Sequence, residues 1–113
     1  MQRSEFVHAA TAALELLDEQ LGDLEDDRLD VDLGGDVLTL AFADGGKFII
    51  NAHSAALQIW MAAGTTAWHF DPPDSARPEW IAAKSGDELF STVARVVGER
   101  LGQELELGPS PTS

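Results

Sequence analysis

Apolar residues near the start of the chain recur at intervals of three and four, which is the period of an amphipathic helix. We predict this helix over residues 4–21, with Ser4 as its N-cap and Gly22 as its stop. Its polar residues would face water. Its buried face would consist of six residues: Phe6, Ala10, Ala13, Leu14, Leu17 and Leu21.

From Leu29 the period changes to two, which is the period of a half-buried β-strand. Short turns separate six predicted strands: 29–33, 37–43, 47–53, 56–62, 67–71 and 79–82. The loop PPDSARP, residues 72–78, separates the last two. In the first four strands the inward positions would be Leu29, Val31, Leu33, Leu38, Leu40, Phe42, Phe48, Ile50, Ala52, Leu57, Ile59 and Met61.

A second helix is predicted over about residues 86–98, because Ser85 and Glu88 form the capping-box pattern S-x-x-E ahead of a new apolar run of helical period. The order helix, strands, helix favours an α+β fold in which both helices pack on one face of an antiparallel sheet of about five to six strands. The other face would meet solvent. We predict one domain over residues 1–107 and a disordered tail over residues 108–113.

Composition limits what such a chain can do. Its 113 residues include 20 acidic side chains against 7 Lys and Arg, so the formal net charge is -13. This charge repels nucleic acids and anionic membranes and attracts cations or basic protein surfaces. The chain has no cysteine and no run of 18 apolar residues, and its opening residues, MQRSEF, lack the apolar segment expected of a secretory leader. We therefore expect a cytoplasmic monomer that binds neither nucleic acid nor membranes.

Carboxylates concentrate around a single cation, Arg28, at the end of the first helix and in the first strand. Like charges three or four residues apart on a helix repel by about 0.2 to 0.5 kcal/mol per pair. A solvated surface is one interpretation, but the self-repulsion favours a surface that binds cations or a basic protein. We call these residues the acidic ridge: Glu15, Asp18, Glu19, Asp23, Glu25, Asp26, Asp27, Asp30 and Asp32.

A metal site on the acidic ridge would be weak and unselective. Carboxylates without imidazole or thiolate select hard cations, and an exposed site leaves several waters on the ion. The three histidines have no metal-ligand spacing, and the chain has no hydrolase, phosphate-loop or dinucleotide motif. We therefore predict that the protein is not an enzyme.

Trp60 is the second unusual feature of the sequence. By period two it shares the polar, outward side of the sheet with Gln58 and, on the neighbouring strand, with Asn51 or His53. A tryptophan in that position is typical of a protein-interaction hot spot. The alternative is a shifted register that places Trp60 in the core. We assign the other two tryptophans to the core.

The acidic first helix and strand, Asn51 followed by Gln58-Ile59-Trp60-Met61-Ala62, the strand WHFD and the helix start SGDELF together resemble the frataxin family in its bacterial form, over residues 4–107. The resemblance implies an α-β-α sandwich and an accessory protein of iron–sulfur cluster assembly. It also implies that the acidic ridge binds ferrous and ferric iron weakly, that other divalent cations can substitute, and that the ridge docks on the cysteine desulfurase. Asn51, Gln58 and Trp60 would contact the assembly machinery, including the iron–sulfur scaffold protein.

Two features depart from that family's pattern: Gly22 interrupts the acidic row, and the loop over residues 72–78 is long. A hypothesis from another class is an acidic inhibitor or nucleic-acid mimic that occupies a basic groove of another protein without metal. Such a protein would need the charge but not Trp60. Iron oxidation at the ridge is a third hypothesis, disfavoured because no histidine is placed to complete a di-iron site.

Overall fold

The computed structural model describes residues 1–108. Its elements are α1 (Arg3–Gly22), β1 (Leu29–Gly34), β2 (Val37–Phe42), β3 (Lys47–His53), β4 (Gln58–Ala63), β5 (Thr66–Phe70) and α2 (Leu89–Leu101). The strands form one antiparallel sheet in the order β1-β2-β3-β4-β5. This is the predicted α+β architecture. Within the described residues, no helix is long and apolar enough to cross a membrane.

One hydrophobic core joins both helices to one face of the sheet. The six residues predicted to form the inner face of α1 are all buried. Alternation holds along β2 and β3, where every second residue is buried. Trp68 and Trp80 are 9% and 4% exposed, which confirms their assignment to the core, and Phe6 packs edge-on against Trp80 with ring centroids 5.8 Å apart.

The predicted strand over residues 79–82 is absent, so the sheet has five strands. Ile81 makes only isolated bridges, one to Asp71 and one to Glu88. The bridge to Glu88 consists of bonds made by the residues on either side of Ile81: the Trp80 carbonyl accepts from the Leu89 amide at 3.0 Å, and the Ala82 amide donates to a carbonyl in the turn before α2. Ile81 is therefore the one residue of this segment that bridges to the end of β5, and a single bridging residue is too short for a strand.

The strand predicted over residues 56–62 begins later than expected, at Gln58. Leu57, predicted as an inward strand residue, lies in the preceding turn with φ 54°. Its side chain is only partly buried, although it still packs against the core. A left-handed backbone cannot continue a strand, so the turn ends at this residue.

Both predicted N-caps are wrong. The N-cap of α1 is Gln2, whose backbone amide donates to the Glu5 carboxylate at 2.9 Å, so Ser4 lies inside the helix. The N-cap of α2 is Glu88, whose carboxylate accepts from two backbone amides of the first turn, at 2.8 and 3.0 Å. The predicted end of α1 is one residue early, because Gly22 is the last residue of the helix and Asp23 is its C-cap.

The final described residues return to α1. The Gln20 side chain donates to the Gly108 carbonyl at 2.9 Å and accepts from the Gly108 amide at 3.1 Å. Gly108 therefore belongs to the folded unit rather than to the predicted tail. The rest of that tail, residues 109–113, lies outside the described residues.

Candidate functional site: an outward tryptophan beside an acidic ridge

The outward orientation predicted for Trp60 is confirmed. Its neighbours on β4, Ile59 and Met61, are 0% and 1% exposed on the core side, so alternation turns the half-buried Trp60 to the other face. Trp60 pairs with Asn51 on β3 and with His69 on β5. The three side chains therefore form one row across the outer face of the sheet.

The Trp60 indole is stacked between two imidazoles. The His53 ring lies 4.0 Å from it, centroid to centroid, at an angle of 21°, and the His69 ring lies 4.4 Å away at 15°. The indole N–H donates to the Gln58 amide oxygen at 2.8 Å, and the Gln58 amide nitrogen donates to Asp71 at 2.9 Å. These contacts fix the indole in one orientation, which lowers the side-chain entropy lost when a partner binds.

Sequence reasoning named His53 as a possible neighbour of Trp60 but gave it no role in the site, and it missed His69. The register of the turn between β4 and β5 could have shown that His69 lies beside Trp60. Ala63 pairs with Thr66 across a two-residue turn in which Gly64 has φ 61°. Counting back from that turn along both strands places His69 opposite Trp60.

The outer face around Trp60 contrasts in charge with the rest of the protein. Strands β2, β3, β4 and β5 contain no Asp or Glu, although the chain carries a net charge of -13. The outward side chains of these four strands are therefore apolar or polar without negative charge, apart from one lysine, Lys47. We call this surface the Trp60 face, and it consists of the outward residues Val37, Thr39, Ala41, Lys47, Ile49, Asn51, His53, Gln58, Trp60, Ala62, Ala67 and His69.

The acidic ridge adjoins this face. Asp30 and Asp32 are exposed on β1 and pair with Ala41 and Thr39, which are outward residues of β2. The ridge then continues through the loop after α1 to the exposed side of the helix. Seven of its members are exposed and two, Asp18 and Asp26, are half-buried. Because strands are about 4.8 Å apart, β1 and β4 are separated by roughly 14 Å, and one protein partner could cover both surfaces.

Asp26 differs from the other ridge carboxylates. Arg28 donates to it through Nε at 3.0 Å, through Nη2 at 2.7 Å and through its backbone amide at 2.9 Å. These bonds from Arg28 lower the pKa of Asp26 from 3.8 to about 2. The Asp26 side chain is 14% exposed. Binding a metal through Asp26 would require breaking this ion pair, whereas the other ridge members have no salt bridge within residues 1–108.

The ridge carboxylates do not form a closed metal site. Among the described residues, no three His, Cys, Asp or Glu side chains are grouped so that they could hold a metal ion. The donor set is nevertheless chemically suited to a hard cation, because it consists of carboxylate oxygens on an exposed surface. A cation bound here would contact few side chains and keep most of its waters.

The interruption of the ridge at Gly22 is not enforced by packing. A Cβ atom placed on Gly22 would have no other atom within 4 Å, and Gly22 lacks the positive φ that would require glycine. A side chain at this position would point into solvent between the acids of α1 and those of the following loop.

Comparison with known proteins gives one consistent family. Residues 1–103 match the family model described as a frataxin-like domain. The iron-sulfur cluster assembly protein CyaY of Azotobacter vinelandii is 42% identical over 84 residues, which is 73% of this chain and 76% of that protein. The CyaY protein of Paraburkholderia phymatum is 30% identical and covers 96% of this chain and 100% of its own. The solved structure of frataxin from Psychromonas ingrahamii matches with a TM-score of 0.83 at 26% identity, covering 94% of this chain and 97% of that one.

Proposed function

Because this chain belongs to the frataxin-like family, we propose that it is a cytoplasmic accessory protein of iron–sulfur cluster assembly, the process named for its CyaY relatives. In this role it performs no chemical step of its own. It binds ferrous or ferric iron weakly on the acidic ridge and docks on the cysteine desulfurase and the iron–sulfur scaffold protein.

The observation that carries the docking proposal is the immobilised, outward Trp60 on a group of four strands that contain no Asp or Glu. A solvated sheet face has no need of a large aromatic ring held by two stacked imidazoles and a hydrogen bond. An acidic mimic would use the ridge alone. Aromatic residues with few rotatable bonds and a fixed orientation are typical of interaction hot spots.

The ridge and the Trp60 face would serve different purposes in the same complex. Exposed carboxylates attract a basic partner over a distance and mainly affect the association rate, which falls as salt screens them. A central aromatic residue mainly affects the dissociation rate, because it is desolvated only in the bound state. The ridge suits the desulfurase if that protein presents basic surface, and the Trp60 face supplies the lasting contact.

Iron binding can be tested residue by residue with an anaerobic titration of ferrous iron and a separate titration of ferric iron, followed by amide NMR signals. We expect signals of the acidic ridge to shift or broaden first and those of the Trp60 face to remain. A matched control neutralises two carboxylates outside the ridge, Glu104→Gln with Glu106→Gln, and should leave the titration unchanged. Signals that respond evenly over the whole surface would contradict a site on the ridge.

Docking can be tested with the purified desulfurase and scaffold proteins at low and moderate salt. We expect Trp60→Ala to weaken the complex at both salt concentrations, and Asp27→Asn with Asp30→Asn to slow association chiefly at low salt. Binding that survives Trp60→Ala, ignores iron and disappears in moderate salt would favour the acidic mimic instead.

A further inference from the structure

Strand β5 is an open edge of the sheet, since among residues 1–108 it pairs with β4 on one side only. Immediately after β5, Asp71 exchanges two backbone hydrogen bonds with Ile81, at 2.8 and 3.2 Å, on the side away from β4. Backbone groups alternate in direction along an antiparallel strand. The N–H and C=O groups of His69 and Ala67 therefore point to this same open side.

These four outward groups have no backbone partner within residues 1–108. The chain pairs with the edge at Ile81 and then turns away, because the Ala82 carbonyl accepts from the amides of Ser85 and Gly86 at 3.2 and 2.7 Å. Pairing along the edge therefore stops after the one bridge between Asp71 and Ile81, and within residues 1–108 the chain does not extend it to His69 and Ala67.

A preformed groove lies where this additional strand would run. It has a volume of about 490 Å³, and its walls are the β5 edge and the turn over residues 82–85. The turn is held in place from the core side, where the Trp68 indole N–H donates to Asp87 at 3.0 Å. The groove reaches Gln58 and His69, so it opens directly onto the Trp60 face.

Edge strands are normally protected against strand addition by lysine, proline, inward charges or bulges. Residues 66–70, TAWHF, contain no lysine, proline or carboxylate. The outward side chains of Ala67 and His69 are small or flat. This edge therefore offers donors and acceptors for main-chain pairing and little steric obstruction.

We propose that the β5 edge binds an extended segment of a partner protein, which adds to the sheet as a further strand at Ala67 and His69. The segment would carry an acidic side chain facing Lys84, because Lys84 is the one Lys or Arg among the lining residues and their one carboxylate, Asp71, already accepts a hydrogen bond from Gln58. A second copy of this chain is disfavoured as the occupant by its net charge of -13. Main-chain pairing gives affinity and the adjoining side-chain contacts give specificity.

This inference rests on the proposed function for the identity of the partner, and it specifies how that partner is held. The decisive measurement is amide hydrogen exchange of the full chain, alone and with the purified desulfurase–scaffold complex. Alone, Ala67 and His69 should exchange rapidly and Trp68 and Phe70, whose amides point to β4, slowly. In the complex we expect exchange at Ala67 and His69 to slow by about tenfold or more, because strand addition pairs their amides.

A matched pair of variants tests the same contact. Ala67→Pro removes an outward N–H without breaking the ladder to β4, and proline is tolerated on that side of an edge strand. We expect it to weaken the complex by about tenfold, the effect of losing a main-chain bond and obstructing the edge. Ala67→Ser keeps the amide, so we expect it to weaken the complex much less than Ala67→Pro does. If Ala67→Pro does not fold, the exchange measurement decides alone.

Two results would overturn the inference in distinguishable ways. If the complex forms and depends on Trp60, but Ala67 and His69 exchange as fast as before, strand addition is wrong and the proposed docking function stands. If the wild-type chain forms no complex with either protein, the proposed function is wrong and strand addition to that partner is wrong with it.

Discussion

At the scale of single residues, Asp26 shows that carboxylates of one acidic cluster need not be equivalent. Arg28 holds the pKa of Asp26 at about 2, below the ordinary 3.8. A carboxyl group with a lowered pKa in the folded state stabilises the protein above its unfolded pKa and loses that contribution as the pH falls through the folded value. The ion pair therefore contributes above about pH 4 and is lost towards pH 2.

Arg28→Gln should raise the pKa of Asp26 part of the way towards its ordinary value, because it removes the two side-chain hydrogen bonds and the positive charge of Arg28 but keeps the bond from the backbone amide. The measurement is a pH titration of side-chain carboxyl carbons by NMR. Asp44 is the internal control: its pKa is lowered by the Gly46 amide and by Arg100, neither of which the variant changes. An Asp26 that titrates at the same pH in both proteins would show that Arg28 is not the cause.

Trp60 and Trp80 should respond in opposite ways to truncation. Trp80 is 4% exposed in the core, so Trp80→Ala should cost about 3 to 5 kcal/mol of unfolding free energy. Trp60→Ala leaves the core intact and should cost about 1 kcal/mol of stability, but about 1 to 2 kcal/mol of binding to an assembly partner. Denaturant unfolding and a binding titration measure the two effects. Equal losses of stability in the two variants would place Trp60 among the structural residues.

At the scale of secondary-structure elements, the start of α2 depends on one carboxylate. Glu88→Ala should destabilise the protein by about 1 kcal/mol, because the two amides that Glu88 caps lose their acceptor. Glu88→Gln keeps an acceptor oxygen and should cost less. Ser85→Ala should cost less than Glu88→Ala, since the Ser85 hydroxyl accepts a long bond from the Asp87 amide, at 3.3 Å, and caps no amide of the first turn of α2. Denaturant unfolding measures the free energy of unfolding of the three variants. A larger loss for Ser85→Ala than for Glu88→Ala would show that Ser85 is the N-cap, as predicted from the sequence.

The elements also show where sequence reasoning succeeds. Alternation is a local property, so it predicted the outward face of Trp60 and the inward face of β2 and β3. Residue preference favoured Ser85 over Glu88 as the cap, because serine is a preferred N-cap residue and glutamate is not. The structure uses Glu88 instead, and the chain ahead of it turns at Gly86, where φ is 80°. The absence of a sixth strand was equally out of reach, since it follows from tertiary bonds made by Trp80 and Ala82.

In the candidate site, too, local features could be predicted from the sequence and tertiary contacts could not. The carboxylates of the ridge can be identified in the sequence. The ion pair between Asp26 and Arg28 cannot, because several carboxylates lie close to that single cation along the chain. The stacking of His69 on Trp60 is a cross-strand contact, which becomes visible only when the turn at Gly64 fixes the register.

Gly22, the last residue of α1, provides a way to extend the ridge. Gly22→Glu should tighten cation binding several-fold, because it adds a carboxylate three and four residues after Glu19 and Asp18. Gly22→Gln should leave cation binding unchanged while removing the same helix-destabilising glycine, a gain of up to about 1 kcal/mol. Anaerobic calorimetric titration with ferrous iron measures the affinities. Equal affinities for the Glu and Gln variants would show that the row of acids does not bind the ion as a unit.

At the scale of the whole molecule, the net charge of -13 opposes folding. Compact folding brings like charges together, so self-repulsion lowers stability in dilute buffer. Screening reduces this cost, since the Debye length falls from about 30 Å at 0.01 M salt to about 10 Å at 0.1 M. The ridge holds nine of the 20 acidic side chains, and apart from Asp26 none of its members forms a salt bridge within residues 1–108, so we expect it to be a major source of the repulsion.

The melting temperature should therefore rise with sodium chloride and rise further with a divalent cation at equal ionic strength, because a cation that binds the folded state also stabilises it by mass action. Asp18→Asn, Glu19→Gln and Asp23→Asn combined should melt higher in dilute buffer, gain less from salt and bind cations more weakly. The same number of amide substitutions outside the ridge, at Asp36, Glu99 and Glu104, serves as the control and should have a smaller effect on all three quantities. A melting temperature indifferent to ionic strength would remove self-repulsion as a factor, and a ridge variant that loses stability together with cation binding would show that these carboxylates support the fold itself.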